Sequence, residues 1–210
     1  NQWILLQFNA LQYPIVDIIF VAITLVGDPL FIYLAMAWFI ALIGAQKRIE
    51  LAAIYISAGF STHVLTTWLK ATCEIARPEN QFNPESFAYP SGHATGATFA
   101  IGLISASIAR ERAPDERWGI YSFAGVLIML VACSRIYLGV HWLSDVLGGI
   151  LAGLMICGLT RWVQSAFDRQ ALWDSKWMLL LTAGLMIILL VYQAVFLESS
   201  LLRYGRHLLD

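Results

Sequence analysis

The chain has 210 residues, 59% hydrophobic and only 13% charged, with eight Trp and a net charge of −1. Soluble domains are about 45–50% apolar and about 25% charged, so an ordinary soluble domain is excluded, and the charge balance gives no case for nucleic-acid binding. The apolar excess comes in blocks, which predicts an all-α fold: a polytopic membrane helical bundle of about six transmembrane helices plus N-terminal interfacial helices, in one domain over 1–210.

Residues 1–28 are the ambiguous part. Trp3 to Leu6 and Ile15 to Val26 are apolar, but Gln7, Asn9, Gln12, Pro14 and Asp17 interrupt them. Neither piece reaches the roughly 20 residues that span a bilayer. Helices lying in or dipping into the interface are expected, with one broken span as the alternative. No basic stretch followed by a cleavage site is visible, so no removable signal peptide is expected. Asp28-Pro29 marks a helix start, because proline suits a first turn.

Six runs then read as spans: about 29–45, 49–71, 93–110, 119–137, 142–163 and 177–197. Backbone in lipid must satisfy its own hydrogen bonds, so each is expected to be helical. Cys73, Cys133 and Cys157 show no paired spacing and read as packing residues. The long polar connection 72–92 is expected to have a task. Six helices put 46–48, 111–118 and 164–176 on one side, and 72–92 and 138–141 on the other. Lys47, Arg48, Arg110, Arg112, Arg117, Arg161, Arg169 and Lys176 lie near the first side. Lys70, Arg77, Arg135, Arg203 and Arg206 lie near the second. The basic excess marks the first side as cytoplasmic. In a bacterium this implies an integral inner-membrane protein whose polar motifs face the periplasm.

Three polar blocks meet at that outer end by helix parity: Lys70 to Pro78, Pro90-Ser91-Gly92-His93, and Ser134 to Asp145. Within the last, His141 and Asp145 are four apart and share a helical face. A carboxylate on one ring nitrogen leaves the other as a lone-pair nucleophile. Taken singly, Lys70 reads as a snorkelling interface residue, Arg77-Pro78 as a helix stop, Ser91 as a cap and His93 as an interfacial histidine. Glu74 could pair with Lys70 one turn away. Together, three cations at one end of a membrane bundle, each costing about 2.5–3.5 kcal/mol at mid-bilayer, favour a shared anion. Arginine forks match paired phosphate oxygens, and Ser91-Gly92-His93 opens a helix whose free amides suit an oxyanion.

In order, Lys-x6-Arg-Pro, Pro-Ser-Gly-His and Ser-Arg-x5-His-x3-Asp resemble the type 2 phosphatidic acid phosphatase superfamily, PAP2. The motifs lie within 70–145 and the helix layout extends the resemblance over roughly 29–163. The resemblance implies that His141 attacks phosphorus to form a phosphohistidine and that Asp145 orients its ring. It implies that His93 protonates the leaving group and then activates water. Lys70, Arg77, Ser91, Gly92 and Arg135 would hold the phosphoryl oxygens. No Asp/Glu cluster with metal-ligand spacing accompanies these residues, so no metal or cofactor is expected. Opposite protonation demands on two histidines predict a bell-shaped pH–rate profile.

The apolar helices favour a lipid phosphate or pyrophosphate as substrate, with undecaprenyl pyrophosphate, phosphatidate and phosphatidylglycerophosphate all open. Transfer to a lipid hydroxyl and non-catalytic binding or translocation are the competing readings. Gly148, Gly149, Ala152 and Gly153 read as a packing stripe ahead of a lipid-tail groove. His63 reads as a hydrogen-bonded core residue and His207 as surface. The loop 79–89 is expected to decide substrate choice.

Overall fold

The computed structural model describes Trp3 and residues 13–78, 86–168 and 170–204. Seven helices form these parts: α1 (Pro14–Leu25), α2 (Pro29–Ala45), α3 (Ile49–Cys73), α4 (Gly92–Ala109), α5 (Pro114–Tyr137), α6 (Leu143–Phe167) and α7 (Ser175–Tyr204). Five, α3 to α7, are long and apolar enough to cross a membrane. The pair α1 and α2 passes the same test jointly, bent by 45° at the break between them, as a broken span or a re-entrant turn. The all-α membrane bundle of about six spans is therefore observed. Residues 1, 2 and 4–12, and with them much of the expected N-terminal interfacial segment, lie outside the described residues, as do Arg169, Arg206 and His207.

Local chemistry explains the helix starts. The side chain of Asp28 accepts from Leu30 N at 2.9 Å, and Pro29 occupies the first turn. At α5, Pro114 opens the helix, and Asp115 and Glu116 sit where the helix dipole favours negative charge. That helix begins five residues before the apolar run at 119, because the charged opening turn carries no hydropathy signal.

The centre of the bundle is α4, packed most extensively on α6 and α5, while α3 also lies against α6. The α4–α6 pairing depends on small residues. A Cβ on Gly153 would come within 2.7 Å of Thr98 Cβ and 2.9 Å of Thr95 O. One on Gly149 would lie 2.8 Å from Ser91 O. The stripe is thus a close-packing seam. Below it, the ring of Phe39 stacks on Tyr55 and Trp173 at centroid distances of 5.3 and 5.6 Å. Helix α7 is peripheral: among its side chains only Leu181 and Tyr192 are buried, and it lies along α1 and α2.

The two ends of the bundle differ chemically. At one end Arg48 pairs with Asp168, Arg110 donates to the carbonyls of Asp168 and Gln170, and Glu111 accepts from Leu172 N and Trp173 N at 2.7 and 2.9 Å. Loops 46–48, 111–118 and 164–176 are therefore gathered together, as the parity argument required. The other end holds the polar motifs.

Candidate active site

The chain reverses between α5 and α6 in a tight turn. Gly139 adopts φ 66°, Gly139 N donates to Ile136 O at 2.9 Å, and Val140 N donates to Arg135 O at 3.2 Å. This pair of bonds is the Schellman cap, which needs a left-handed residue and so favours glycine. It delivers Arg135 in the last turn of α5 and His141 just beyond it into one buried place, 4% and 2% exposed.

Asp145 lies in the first turn of α6 and is fully buried. Its Oδ2 accepts from Trp142 N at 2.8 Å and stands 3.4 Å from His141 Nδ1. That contact has the distance of an ion pair without hydrogen-bond alignment, and Nδ1 and Asp145 Oδ1 have no hydrogen-bond partner. On the other side of the ring, Arg77 Nη1 approaches His141 Nε2 at 3.4 Å. Arginine can only donate, so Nε2 presents its lone pair there and Nδ1 carries the proton, facing the carboxylate.

Arg77 reaches this position because its other donors are tied down. Nε donates to Ser86 O at 2.9 Å, Nη2 to Ser86 Oγ at 2.8 Å and Nη1 to Val140 O at 3.0 Å. Lys70 Nζ donates to Phe87 O at 2.6 Å. The Lys70–Glu74 pairing that the spacing allows gives way to this contact: Glu74 turns left-handed, φ 47°, to end α3. Ala88 N donates to Ile75 O at 2.7 Å and closes the base of the loop. Of the stretch expected to decide substrate choice, 79–85 lie outside the described residues.

Arg135 is held from a direction that the motifs did not indicate. Its Nη1 donates to Thr24 Oγ1 of α1 at 2.6 Å, and its guanidinium lies 5.7 Å from the centroid of the Tyr204 ring of α7. Its Nε is buried without a hydrogen-bond partner. A buried cationic donor left unpaired is costly, and among the described residues no carboxylate forms a salt bridge with it.

Ser91 caps α4 by accepting from Ala94 N, and its own backbone N donates to Asp145 O at 2.9 Å. This main-chain bond joins the starts of α4 and α6. Next to it, a Cβ on Gly92 would meet nothing within 4 Å, so the first turn of α4 faces open space. His93 follows, with Gly27 at the α1–α2 break close enough that a Cβ there would lie 3.3 Å from His93 Cβ. The positive charges of Arg135, Arg77 and Lys70 all act on His93.

The structure thus gathers all eight expected residues, Lys70, Arg77, Ser91, Gly92, His93, Arg135, His141 and Asp145, at one end of the bundle. Among the described residues of this cluster, Lys70, Arg77 and Arg135 are the cations and Asp145 is the carboxylate. Burial, followed by the charges of Arg135, Arg77 and Lys70, holds the His141 imidazole well below its ordinary pKa, so its ring is uncharged at neutral pH. Among the described residues no group of three or more His, Cys, Asp or Glu is placed to hold a metal ion. Sequence reasoning missed Thr24, Ser86 and Tyr204; a lone threonine or serine in such surroundings carries no pattern.

The chain is 36% identical over 104 residues to phosphatidylglycerophosphatase B of Bacillus subtilis, covering 47% of this chain and 50% of that protein. It is 37% identical over 84 residues to undecaprenyl-diphosphatase of Sulfolobus acidocaldarius, covering 39% and 36%. These matches span no more than half the length of either relative. The crystal structure of a transmembrane PAP2-type phosphatidylglycerolphosphate phosphatase from Bacillus subtilis superposes with a TM-score of 0.70 at 26% identity, over 79% of this chain and 85% of that one. The family model described as PAP2 superfamily matches residues 48–169, more than half the chain and a stretch that contains all eight clustered residues, and the chain therefore belongs to the PAP2 superfamily.

Proposed function

We propose that this protein is a membrane lipid phosphatase that hydrolyses a phosphate or pyrophosphate monoester through a phosphohistidine. The observation that carries the reading is the placement of the two His141 nitrogens: Nε2 lies 3.4 Å from Arg77 Nη1 and Nδ1 lies 3.4 Å from Asp145 Oδ2. Nε2 attacks phosphorus, forming an N–P bond as the bond to the leaving oxygen breaks. His93 supplies that oxygen with a proton, then takes one from the water that cleaves the N–P bond. Asp145 stabilises the imidazolium side of the intermediate. Phosphoryl transfer needs charge stabilisation and in-line placement above all, and Lys70, Arg77, Arg135 and the open amide end at Ser91-Gly92 supply it. These cations carry the charge neutralisation, so we expect activity with chelator present.

Substrates of the undecaprenyl pyrophosphate, phosphatidate and phosphatidylglycerophosphate class fit a site at the end of a membrane bundle. The site is assigned to the periplasmic side of a bacterial inner membrane, because the arginines at 48, 110 and 161 cluster at the opposite end. Transfer to a lipid hydroxyl instead of water would use the same intermediate; free phosphate release separates the two. Purified protein should release phosphate from one of these lipids, and His141→Ala should abolish it while the protein stays folded. Unchanged release in that variant rejects the mechanism, whereas a wild type that releases phosphate from none of these lipids favours non-catalytic binding or translocation.

A further inference from the structure

A cavity of about 920 Å³ lies between α2, α3 and α4, a volume suited to a lipid-sized ligand. Lys70 and Gly92 of the phosphate cluster line one end, and Tyr55 lies toward the other. Fifteen residues of α3 separate Lys70 from Tyr55, about 22 Å of helix. The walls include Ile32, Met36, Ile40, Phe60 and Phe99.

One rung of this wall is polar. Tyr33 OH of α2 lies 3.2 Å from His63 Nδ1 of α3, and both side chains are exposed and line the cavity. The histidine that sequence reasoning placed in the core is hydrogen-bonded but faces open space. It lies seven residues before Lys70, two turns or about 10 Å along the same helical face. An ionisable residue inside a spanning helix is expensive and calls for a partner. A neutral histidine and a tyrosine share two protons but need only one between them. If Tyr33 donates to Nδ1, the His63 Nε2–H remains free; if Nδ1–H donates, the tyrosine O–H remains free. Either tautomer leaves one donor for a ligand.

We propose that Tyr33 and His63 form a second subsite, which donates a hydrogen bond to an acceptor oxygen in the body of the lipid, inward of the phosphoryl group. The proposal rests on the lipid-phosphatase reading and deepens it by naming a substrate class. Diacylglycerol phosphates carry two ester carbonyls one glycerol unit beyond the phosphate. A polyprenyl diphosphate is hydrocarbon beyond its phosphates and would leave the donor unpaired. The subsite therefore favours glycerol-based lipid phosphates.

The test measures phosphate release by the full chain in detergent from dioleoyl phosphatidate and from farnesyl diphosphate, for wild type, His63→Leu and Tyr33→Phe. His63→Leu should lower kcat/KM for phosphatidate relative to farnesyl diphosphate by about tenfold, the size of one hydrogen bond lost to a desolvated donor. Tyr33→Phe should shift the ratio in the same direction by a smaller factor, and it keeps the ring packing should His63→Leu fold poorly. Equal losses on both substrates, or an unshifted ratio in both variants, overturn the subsite while leaving the phosphatase reading intact. A wild type that releases phosphate from neither lipid overturns the subsite, and one that also fails on phosphatidylglycerophosphate and undecaprenyl pyrophosphate overturns the phosphatase reading with it.

Discussion

Arg77 Nη1 stands 3.4 Å from His141 Nε2, the nitrogen assigned to attack, while Ser86 holds the rest of the guanidinium. On the proposed mechanism a phosphoryl group takes over that contact, with one oxygen on the arginine as phosphorus meets the nitrogen. A lysine is a point charge without the fork and cannot hold Ser86, Val140 and the phosphoryl oxygen together. Arg77→Lys should lower kcat/KM by about 10²–10³-fold. Ser86→Ala, which removes one of the positioning bonds, should cost roughly tenfold or less. Steady-state phosphate release on one lipid substrate gives both figures, and a larger loss in Ser86→Ala would contradict the ordering.

The pH dependence follows from the field around His141. Burial and the nearby cations hold its pKa well below the ordinary 6.5, so in the free protein the ring stays neutral as the pH falls through that value. The acid limb of kcat/KM should therefore lie below pH 6.5. A bound phosphate cancels part of the cationic field and raises the imidazole pKa, so the acid limb of kcat should lie at higher pH than that of kcat/KM. Coincident limbs would contradict the assignment.

The same shift affects folding. The unfolded chain protonates His141 at its ordinary pKa while the folded chain resists, so this contribution is complete above about pH 6.5 and is lost as pH falls below it. Thermal unfolding in detergent should show a shallower decline between pH 7 and pH 5 for His141→Asn than for wild type.

Thr24 should act as a positioning residue for Arg135. Its hydroxyl accepts from Nη1 at 2.6 Å and so turns the guanidinium, whose Nε has no hydrogen-bond partner. A hydrogen bond to a charged group contributes about 1.5–3 kcal/mol. Thr24→Val should lower kcat/KM by roughly 10- to 100-fold with the melting temperature little changed, and Thr24→Ser should restore most of the activity. Equal failure of Val and Ser variants would point to packing instead.

The seam between α4 and α6 gives a stability prediction with an internal control. Gly153→Ala places a methyl 2.7 Å from Thr98 Cβ and 2.9 Å from a backbone carbonyl, whereas a methyl on Gly158 meets nothing within 4 Å. Gly153→Ala should cost about 1–3 kcal/mol by overpacking, and Gly158→Ala should be neutral or mildly stabilising. Thermal unfolding of both variants checks the contrast.

Sidedness can be read with a native thiol. Cys73 is exposed at the end of α3 nearest the site, Cys157 is buried, and Cys133 is only partly exposed within α5. A membrane-impermeant maleimide applied to spheroplasts should label the protein, and Cys73→Ser should remove most of the label. Labelling seen only after lysis would reverse the orientation.

Much of this was legible from the chain because the chemistry sits at helix ends. Asp28-Pro29, Ser91 and the six-residue step from Arg135 to His141 each mark a terminus, and parity alone then brings the three blocks together. What was not legible depends on contacts without local pattern. Thr24 is one threonine in an apolar run, and its importance comes from an arginine 111 residues later. The face that His63 presents is set by how α2 and α4 stand around α3. Glu74 offered a plausible partner for Lys70, but ending α3 turned the backbone left-handed there and a carbonyl took its place. The α1–α2 bend falls at Gly27, where absence of a side chain lets the chain pass beside His93.

The bond from Ser91 N to Asp145 O is made by main chain on both sides. The spacing it sets between the starts of α4 and α6 is therefore indifferent to which side chains surround it. Residues lining the cavity can therefore be exchanged one by one while Ser91 and Asp145, and with them the starts of α4 and α6, keep their registration.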